Sequence, residues 1–275
     1  MQSVRLLRHQ LWRMSASRRW GVPVVVAALV SYLAVTEVAA VSANTGLKPG
    51  PLDVHAAATN NLMYVGYLLL TAFVYVMGDS LVSDRLSGYG RLVLARGIQR
   101  ASRWRATMIS AVVAAAFVQV VLLLWCTVIG VIWTREAPVA PPSDLASAPL
   151  ATRGLALFPP IGTGANMFLR QLSVAGYLTL AFSAICLLLV AATLKTRQPA
   201  AVVTCAILGL IADYVLAKAW DGWLIFSPGV RLLEGVHHNP AVRQNIPAWS
   251  GVAYFALILA ASYLMGRRQF GSADL

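Results

Sequence analysis

The sequence predicts an all-α integral membrane protein with six transmembrane helices and both termini in the cytoplasm. Three observations support this prediction: an apolar composition, six apolar stretches near the length of a membrane span, and basic residues grouped beside alternate ends of those stretches. Apolar residues make up 59% of the 275 residues, charged residues 12%, and the mean hydropathy is +0.70. Soluble globular domains do not have such values, so we expect one membrane domain over 1–275.

Six apolar stretches have or approach the roughly 20 residues that a helix needs to cross a bilayer. They are 22–41, 62–78, 106–133, 171–194, 200–219 and 248–266. The second is short and begins after the polar pair Asn60 and Asn61. The third is long enough to tilt or to project from the bilayer.

The orientation follows from the basic residues, because short cytoplasmic segments of membrane proteins are enriched in Lys and Arg. Of the 22 basic residues, 15 fall on the side that would carry both termini. They are Arg5, Arg8, Arg13, Arg18, Arg19, Arg85, Arg91, Arg96, Arg100, Arg103, Arg105, Lys195, Arg197, Arg267 and Arg268. This arrangement also explains the net charge of +12, so we expect no nucleic-acid partner.

A second interpretation of the N-terminus is a cleaved signal peptide, because Val41-Ser42-Ala43 resembles a small-residue cleavage site after a basic arm. The apolar run is longer than the 7 to 15 residues typical of such signals. Cleavage would also leave an odd number of spans, so a first transmembrane helix is the better prediction.

The arm 1–20 has the pattern of an amphipathic helix lying on the membrane surface. Val4, Leu7, Leu11 and Met14 share one narrow arc, and basic side chains such as Arg5 lie opposite. The arm either fixes the orientation of the first span or forms a contact surface for a partner, and the pattern leaves both open.

Two longer connections fall on the outer side. The segment 134–170 is rich in proline, which predicts an irregular loop. The segment 221–247 follows Trp220 and contains Trp223, Phe226 and Pro228. Because aromatic side chains favour the headgroup level, we predict a short interfacial or re-entrant helix near 230–235.

The cytoplasmic connection 79–105 is longer than a turn requires and carries apolar side chains among its arginines. We expect a short helix that begins near Arg91 and ends at Gly97, since glycine commonly follows the last helical residue. A helix below the bilayer would let a soluble partner push on the attached spans. The alternative is a basic loop that lies on anionic headgroups.

Within this connection, residues 84–100 read Asp-Arg-Leu-Ser-Gly-Tyr-Gly-Arg-Leu-Val-Leu-Ala-Arg-Gly-Ile-Gln-Arg. This segment resembles the first cytoplasmic loop of type-two ATP-binding-cassette export permeases, which has an acidic residue, a glycine, a Leu-rich short helix, and then a small residue with arginines. Asp84 replaces the commoner Glu, and the usual proline before the arginines is absent. The resemblance extends to the six-span layout, the amphipathic arm and the short helix before the last span.

The resemblance implies that this loop seats in a groove of a separate ATPase subunit, which binds ATP and Mg. The positions that match the family's coupling loop are Asp84, Arg85, Gly88, Tyr89, Gly90, Leu92, Leu94, Gly97 and Arg100. It also implies a dimer with a second permease copy through spans one and five, in a bacterial cytoplasmic membrane. The sequence contains no G-x-x-x-x-G-K-[ST] phosphate loop, so we expect ATP hydrolysis on the partner.

The expected function is therefore export of a hydrophobic or amphipathic cargo such as a lipid, drug or peptide. The alternative is a stand-alone membrane scaffold or immunity protein whose basic loop meets only lipid. An associated ATPase would distinguish the two.

Three polar residues lie inside predicted spans, where a carboxylate at mid-bilayer costs about 2.5 to 3.5 kcal/mol on insertion scales. Glu37 and Asp213 are placed at similar heights in the outer half of spans one and five, and Gln119 lies in span three. They are candidates for a translocation path. In the alternative, Glu37 reaches outer water and Asp213 pairs with Lys218 or with a hydroxyl group.

Neither a metal site nor catalysis is expected. The three cysteines, Cys126, Cys186 and Cys205, all lie in apolar runs, and the neighbours His237 and His238 have no further ligands nearby in sequence. No span pairs an acid and a base at helical spacing.

Overall fold

The computed structural model describes residues 2–45, 50–86, 100–133, 165–193, 199–220, 223, 226–233 and 248–272. All regular elements in these ranges are helical. In chain order they are α1 Gln2–Ser15, a 3₁₀ turn Arg18–Trp20, α2 Gly21–Thr45, α3 Asp53–Thr59, a π-helical stretch Met63–Leu70, α4 Thr71–Leu86, α5 Arg100–Trp133, α6 Ala165–Thr193, α7 Pro199–Ala219, α8 Pro228–Leu232 and α9 Ala248–Ser272.

Four helices in the described ranges contain apolar stretches long enough to cross a membrane, so the protein has the character of a multi-pass membrane protein. These stretches are Arg18–Ala40, Ser102–Trp133, Phe168–Ala192 and Trp249–Arg268. A bent pair, Asp53–Thr59 with Met63–Gly78, makes a fifth if it is one span. The apolar part of α7, Ala201–Ala217, is shorter than these. The count of six spans stays a prediction.

The second predicted span differs most from expectation. The chain before it is not a simple loop, because α3 lies there with every residue buried, and it meets the following helix at an angle of 73°. Asn60 ends α3 by donating its side-chain amide to the carbonyl of Ala56, and Asn61 accepts from the backbone N–H of Met63. A seven-residue helix interrupted by Asp53 and His55 has too short an apolar run for its burial to be predicted from hydropathy.

Helix α5 packs against α1, α2, α3, α4, α6 and α9. Most of its membrane-spanning stretch is nevertheless exposed, whereas that of α6 is mostly buried. Helix α7 lies at the side, mainly against α4. Close contacts join α5 to α9 through Trp104 and Gly266, and α4 to α7 through Gly78 and Val202.

The bundle has two ends, which we name after the short helices that lie there. At the α1 end, Gln10 of α1 meets Thr107 of α5, and Trp104 donates to the carbonyl of Tyr263 in α9. At the α8 end lie α3, α8, and the first turns of α6 and α9.

Helix α1 packs on α5 through a stripe that differs slightly from the predicted one. Leu6, Gln10 and Met14 are buried, whereas Leu7 and Leu11 are half-buried. The stripe is therefore rotated and includes a polar residue, because Thr107 of α5 offers Gln10 a hydrogen-bond partner at 3.4 Å.

The predicted limits of the other elements also shift. Helix α6 already begins at Ala165, inside the segment 134–170 that was expected to be irregular. A short helix, α8, overlaps the position predicted near 230–235, but it starts earlier, at Pro228, and ends at Leu232. Residues 234 and 235 lie outside the described residues, and an interfacial or re-entrant position stays a prediction. The sequence Ser227-Pro228 explains this start, because Ser227 caps the helix by accepting from the N–H of Val230 and proline suits the first helical position.

Candidate functional site

Most of the predicted coupling segment lies outside the described residues. This applies to Gly88, Tyr89, Gly90, Leu92, Leu94 and Gly97. The backbone of Asp84 and Arg85 forms the last turn of α4, and that of Arg100 begins α5. The described ends of these two helices, Leu86 and Arg100, flank the segment 87–99 in the chain.

The first turns of α5 are firmly embedded. Trp104 is fully buried, and its indole N–H donates to the carbonyl of Tyr263 at 3.1 Å. A Cβ added at Gly266 would lie 2.1 Å from Cζ2 of this indole, so only glycine allows the two helices to approach so closely. The start of α5 and this part of α9 are therefore both closely packed and hydrogen-bonded.

Arginine side chains surround the α1 end. Those described as exposed there are Arg8, Arg18, Arg19, Arg105, Arg267 and Arg268. They come from α1, the 3₁₀ turn, α5 and α9, so the fold gathers basic residues that are far apart in sequence at one end of the bundle.

At the α8 end, the side chain of Asp213 of α7 accepts three hydrogen bonds. It is 5% exposed. Its Oδ1 accepts from the indole N–H of Trp223, and its Oδ2 accepts from the hydroxyl of Ser227 and the backbone N–H of Gly229, each at 2.8 Å. The last donor is a backbone N–H in the first turn of α8, where such groups have no partner within the helix.

Helix α8 is also bonded to α6 and α9. The Tyr177 hydroxyl of α6 donates to the carbonyl of Arg231. The Arg231 guanidinium donates to Ser250 Oγ at 3.2 Å and lies 4.8 Å from the ring centre of Tyr254, both on α9. Tyr254 in turn donates to the carbonyl of Phe226 at 2.8 Å. One short helix thus connects three long ones.

Glu37 has a different environment. Its Oε1 accepts from the side-chain amide of Asn61 and from the Tyr64 hydroxyl, each at 2.9 Å. Its Oε2 is buried and has no hydrogen-bond partner among the described residues. The carboxyl group therefore joins α2 to the start of the π-helical stretch.

The two carboxyl groups lie on either side of that stretch. Tyr64 bonds Glu37, and Tyr67, one turn later, donates to the carbonyl of Leu210 in α7 at 3.1 Å. Leu210 is one turn before Asp213. No described hydrogen bond connects Gln119 to this polar network. Gln119 is 1% exposed, and its amide nitrogen and oxygen have no hydrogen-bond partner within the described ranges.

The residues that hold α8 were not predicted as a group, because they come from α6, α7, α8 and α9. The Ser-Pro-Gly sequence before α8 is the one local signal, since it is typical of a helix start. A second unpredicted pair is His55 of α3 and Gln171 of α6, which are both buried and lie 2.6 Å apart between Nδ1 and Oε1.

Most of the long helices present apolar side chains away from the bundle, and two of these faces belong to the first and fifth predicted spans. On α2 the exposed side chains Val22, Val25, Leu29 and Tyr32 recur at helical spacing. On α7 the exposed side chains are Ile207, Leu208, Ile211, Val215 and Leu216. Lipid or a second protein surface would cover both faces.

No protein-family model matches this sequence, and no curated protein is similar to it.

Proposed function

We propose that this protein is the membrane-spanning subunit of an ATP-driven exporter, similar to type-two ATP-binding-cassette permeases. The observation that carries the proposal is the arrangement of the two helices that flank the residues resembling the coupling loop. Helix α4 ends at Leu86 and α5 begins at Arg100, and α5 contacts six other helices. A partner that pushes on the segment between them would act on α5 and its neighbours.

The transmission of that push is supported by the contact between Trp104 and Gly266. Because the start of α5 contacts α9 at Trp104, and α9 contacts the α8 region through Ser250 and Tyr254, a continuous set of contacts runs from the α1 end to the α8 end. Packed elements of this kind can carry coupling between distant sites.

The arginines around the α1 end support an orientation with that end in the cytoplasm. Both termini would then be cytoplasmic, with α8 on the outer side of a bacterial cytoplasmic membrane. The ATPase subunit, with its ATP and Mg, would meet the α1 end, and cargo would leave at the α8 end.

The outward apolar faces of α2 and α7 support dimerisation with a second permease copy, because these are the first and fifth of the six predicted spans. The walls provided by these faces suit a hydrophobic or amphipathic cargo such as a lipid, a drug or a peptide. Glu37 and Asp213 lie on the same two helices and remain the acidic candidates for such a path.

The experiment is affinity purification in mild detergent with identification of associated proteins, followed by ATPase and export measurements on the complex. Gly88→Trp and Leu92→Asp should leave a detectable amount of ATPase bound to the permease. The amount of cargo exported per ATP hydrolysed should fall at least tenfold. Gly21→Trp is the matched control, because a Cβ at Gly21 meets no atom within 4 Å. Purification without any ATPase, or export unaffected by both substitutions, would contradict the proposal.

A further inference from the structure

The carboxyl groups of Glu37 and Asp213 differ in how their oxygens are bonded. Each oxygen of Asp213 accepts at least one hydrogen bond. In Glu37 both hydrogen bonds end on Oε1, and their donors are the side-chain amide of Asn61 and the hydroxyl of Tyr64. The other oxygen, Oε2, is buried and has no partner among the described residues. One oxygen of Glu37 is therefore unsatisfied, whereas neither oxygen of Asp213 is.

This pattern distinguishes the ionised form of Glu37 from the neutral form. An ionised carboxylate shares its charge between both oxygens, and both act as hydrogen-bond acceptors. Burying one of them with neither a donor nor a cation is strongly unfavourable. In a neutral carboxyl group one oxygen accepts hydrogen bonds and the other carries the proton, and a buried hydroxyl without a partner costs much less than a buried unpaired charge. The bonds of Glu37 fit the neutral form, with the proton on Oε2.

The surroundings of Glu37 supply no compensating charge. Its two donors are neutral groups, and Glu37 forms no ion pair within the described ranges. The arginines of the 3₁₀ turn and of α5 lie at the α1 end, and Arg19 precedes Glu37 by 18 residues, about 27 Å along a helix. The other titratable side chains described on the elements packed against α2 are Asp53, His55, Tyr64, Tyr67, Tyr75 and Cys126. Of these, Tyr64 alone has a described bond to Glu37.

We propose that Glu37 is a proton-binding site inside the membrane, which holds a proton on Oε2 while α2 is packed against the π-helical stretch. Glu37 lies within the apolar stretch Arg18–Ala40. Release of the proton leaves a carboxylate, which needs a donor at Oε2. Water entering between α2 and the π-helical stretch is such a donor, so proton release and hydration of this contact occur together. The site goes beyond the proposed export function and does not depend on it.

The first experiment observes this carboxyl group directly. The chain contains three glutamates, Glu37, Glu136 and Glu234. Glu136→Gln with Glu234→Gln leaves Glu37 as the only glutamate and changes none of its described partners. This full-length variant is made by cell-free synthesis with glutamate that carries carbon-13 in the side-chain carboxyl group, and is reconstituted in lipid for infrared spectroscopy. At neutral pH the labelled group should give the C=O band of a protonated acid, which is replaced by a carboxylate band when the pH is raised. A carboxylate band alone at neutral pH would overturn the proposal.

The same spectra connect the titration to this contact. The Tyr64 hydroxyl donates to Oε1 and so favours the charged form. Tyr64→Phe should therefore raise the pH at which the carboxylate band appears, by about one unit. Tyr67→Phe is the matched control, because the Tyr67 hydroxyl donates to the carbonyl of Leu210, and it should leave that pH unchanged. An unchanged or lower pH in Tyr64→Phe would contradict the site.

Stability provides a second, independent measurement. Glu37→Gln keeps an oxygen that accepts from Asn61 and Tyr64, and its amide nitrogen replaces the protonated oxygen. The midpoint of unfolding in dodecyl sulfate should therefore stay the same. Asp213→Asn should lower the midpoint, because its amide nitrogen would face a hydrogen-bond donor. An equal loss in the two variants would count against a protonated Glu37. If no ATPase partner is found, the export proposal fails while the infrared bands still decide whether Glu37 holds a proton.

Discussion

The Trp104–Gly266 contact at the α1 end and the Asp213 cluster at the α8 end join helices in different ways. The first is mainly van der Waals packing of a fully buried ring against a bare helix backbone, with one hydrogen bond from the indole to the carbonyl of Tyr263. The second consists of hydrogen bonds from three donors to one carboxylate. Packing contacts tolerate little displacement, whereas hydrogen bonds can be exchanged for water or other partners. The comparison indicates that shape complementarity fixes the contact at the α1 end, whereas the contact at the α8 end depends on the charge and position of one carboxylate.

The largest effect that tests this comparison is expected for Gly266→Ala. Since the added methyl group would lie 2.1 Å from the Trp104 ring, the variant should lose about 3 kcal/mol of unfolding free energy. Unfolding in mixed micelles with increasing dodecyl sulfate measures the loss. Gly176→Ala is the matched control, because a Cβ there meets nothing within 4 Å, and equal stability of the two variants would show that the close contact is unimportant.

Asp213→Ala should have a smaller effect on global stability, about 2 kcal/mol, because it leaves buried donors without an acceptor. The loss is measured in the same unfolding experiment. Cys205→Ala, at an exposed position of the same helix, is expected to be neutral. A loss larger than that of Gly266→Ala would reverse the comparison.

Trp104→Phe separates the packing of the ring from its hydrogen bond. It removes the donor to Tyr263 while keeping a large ring, so the expected loss is about 1 kcal/mol. In the double variant with Gly266→Ala, the smaller ring should relieve part of the clash. The double variant should therefore lose less unfolding free energy than the sum of the two single-variant losses. Strict additivity would argue against direct contact.

The smallest effect is expected at Gln10. Its bond to Thr107 is long, at 3.4 Å, and its Oε1 is buried without a partner among the described residues. Gln10→Leu should therefore change the unfolding free energy by no more than about 0.5 kcal/mol. A larger loss would mean that α1 is held on α5 by this side chain.

The sequence predicted the helices that depend on long apolar runs, and it placed a short helix in the segment after α7. It did not predict α3, because a helix with Asp53 and His55 becomes buried only when α2, α5 and α6 surround it. Nor did it identify all the donors to Asp213. A hydroxyl partner is among the expectations, and Ser227 supplies it. The indole of Trp223 and the N–H of Gly229 reach the carboxylate only because the fold brings them there. Pairing of Glu37 with Tyr64 likewise depends on the π-helical stretch.

The length of α5 has a mechanical consequence. Its 34 residues span about 51 Å at 1.5 Å per residue, whereas the hydrocarbon layer is about 30 Å thick. A rotation of 10° about a pivot at the middle of the helix would shift either tip by about 4 Å, from half the length given by the helical rise. A small angular change would thus be converted into a displacement comparable to the width of a side chain at both faces of the membrane simultaneously.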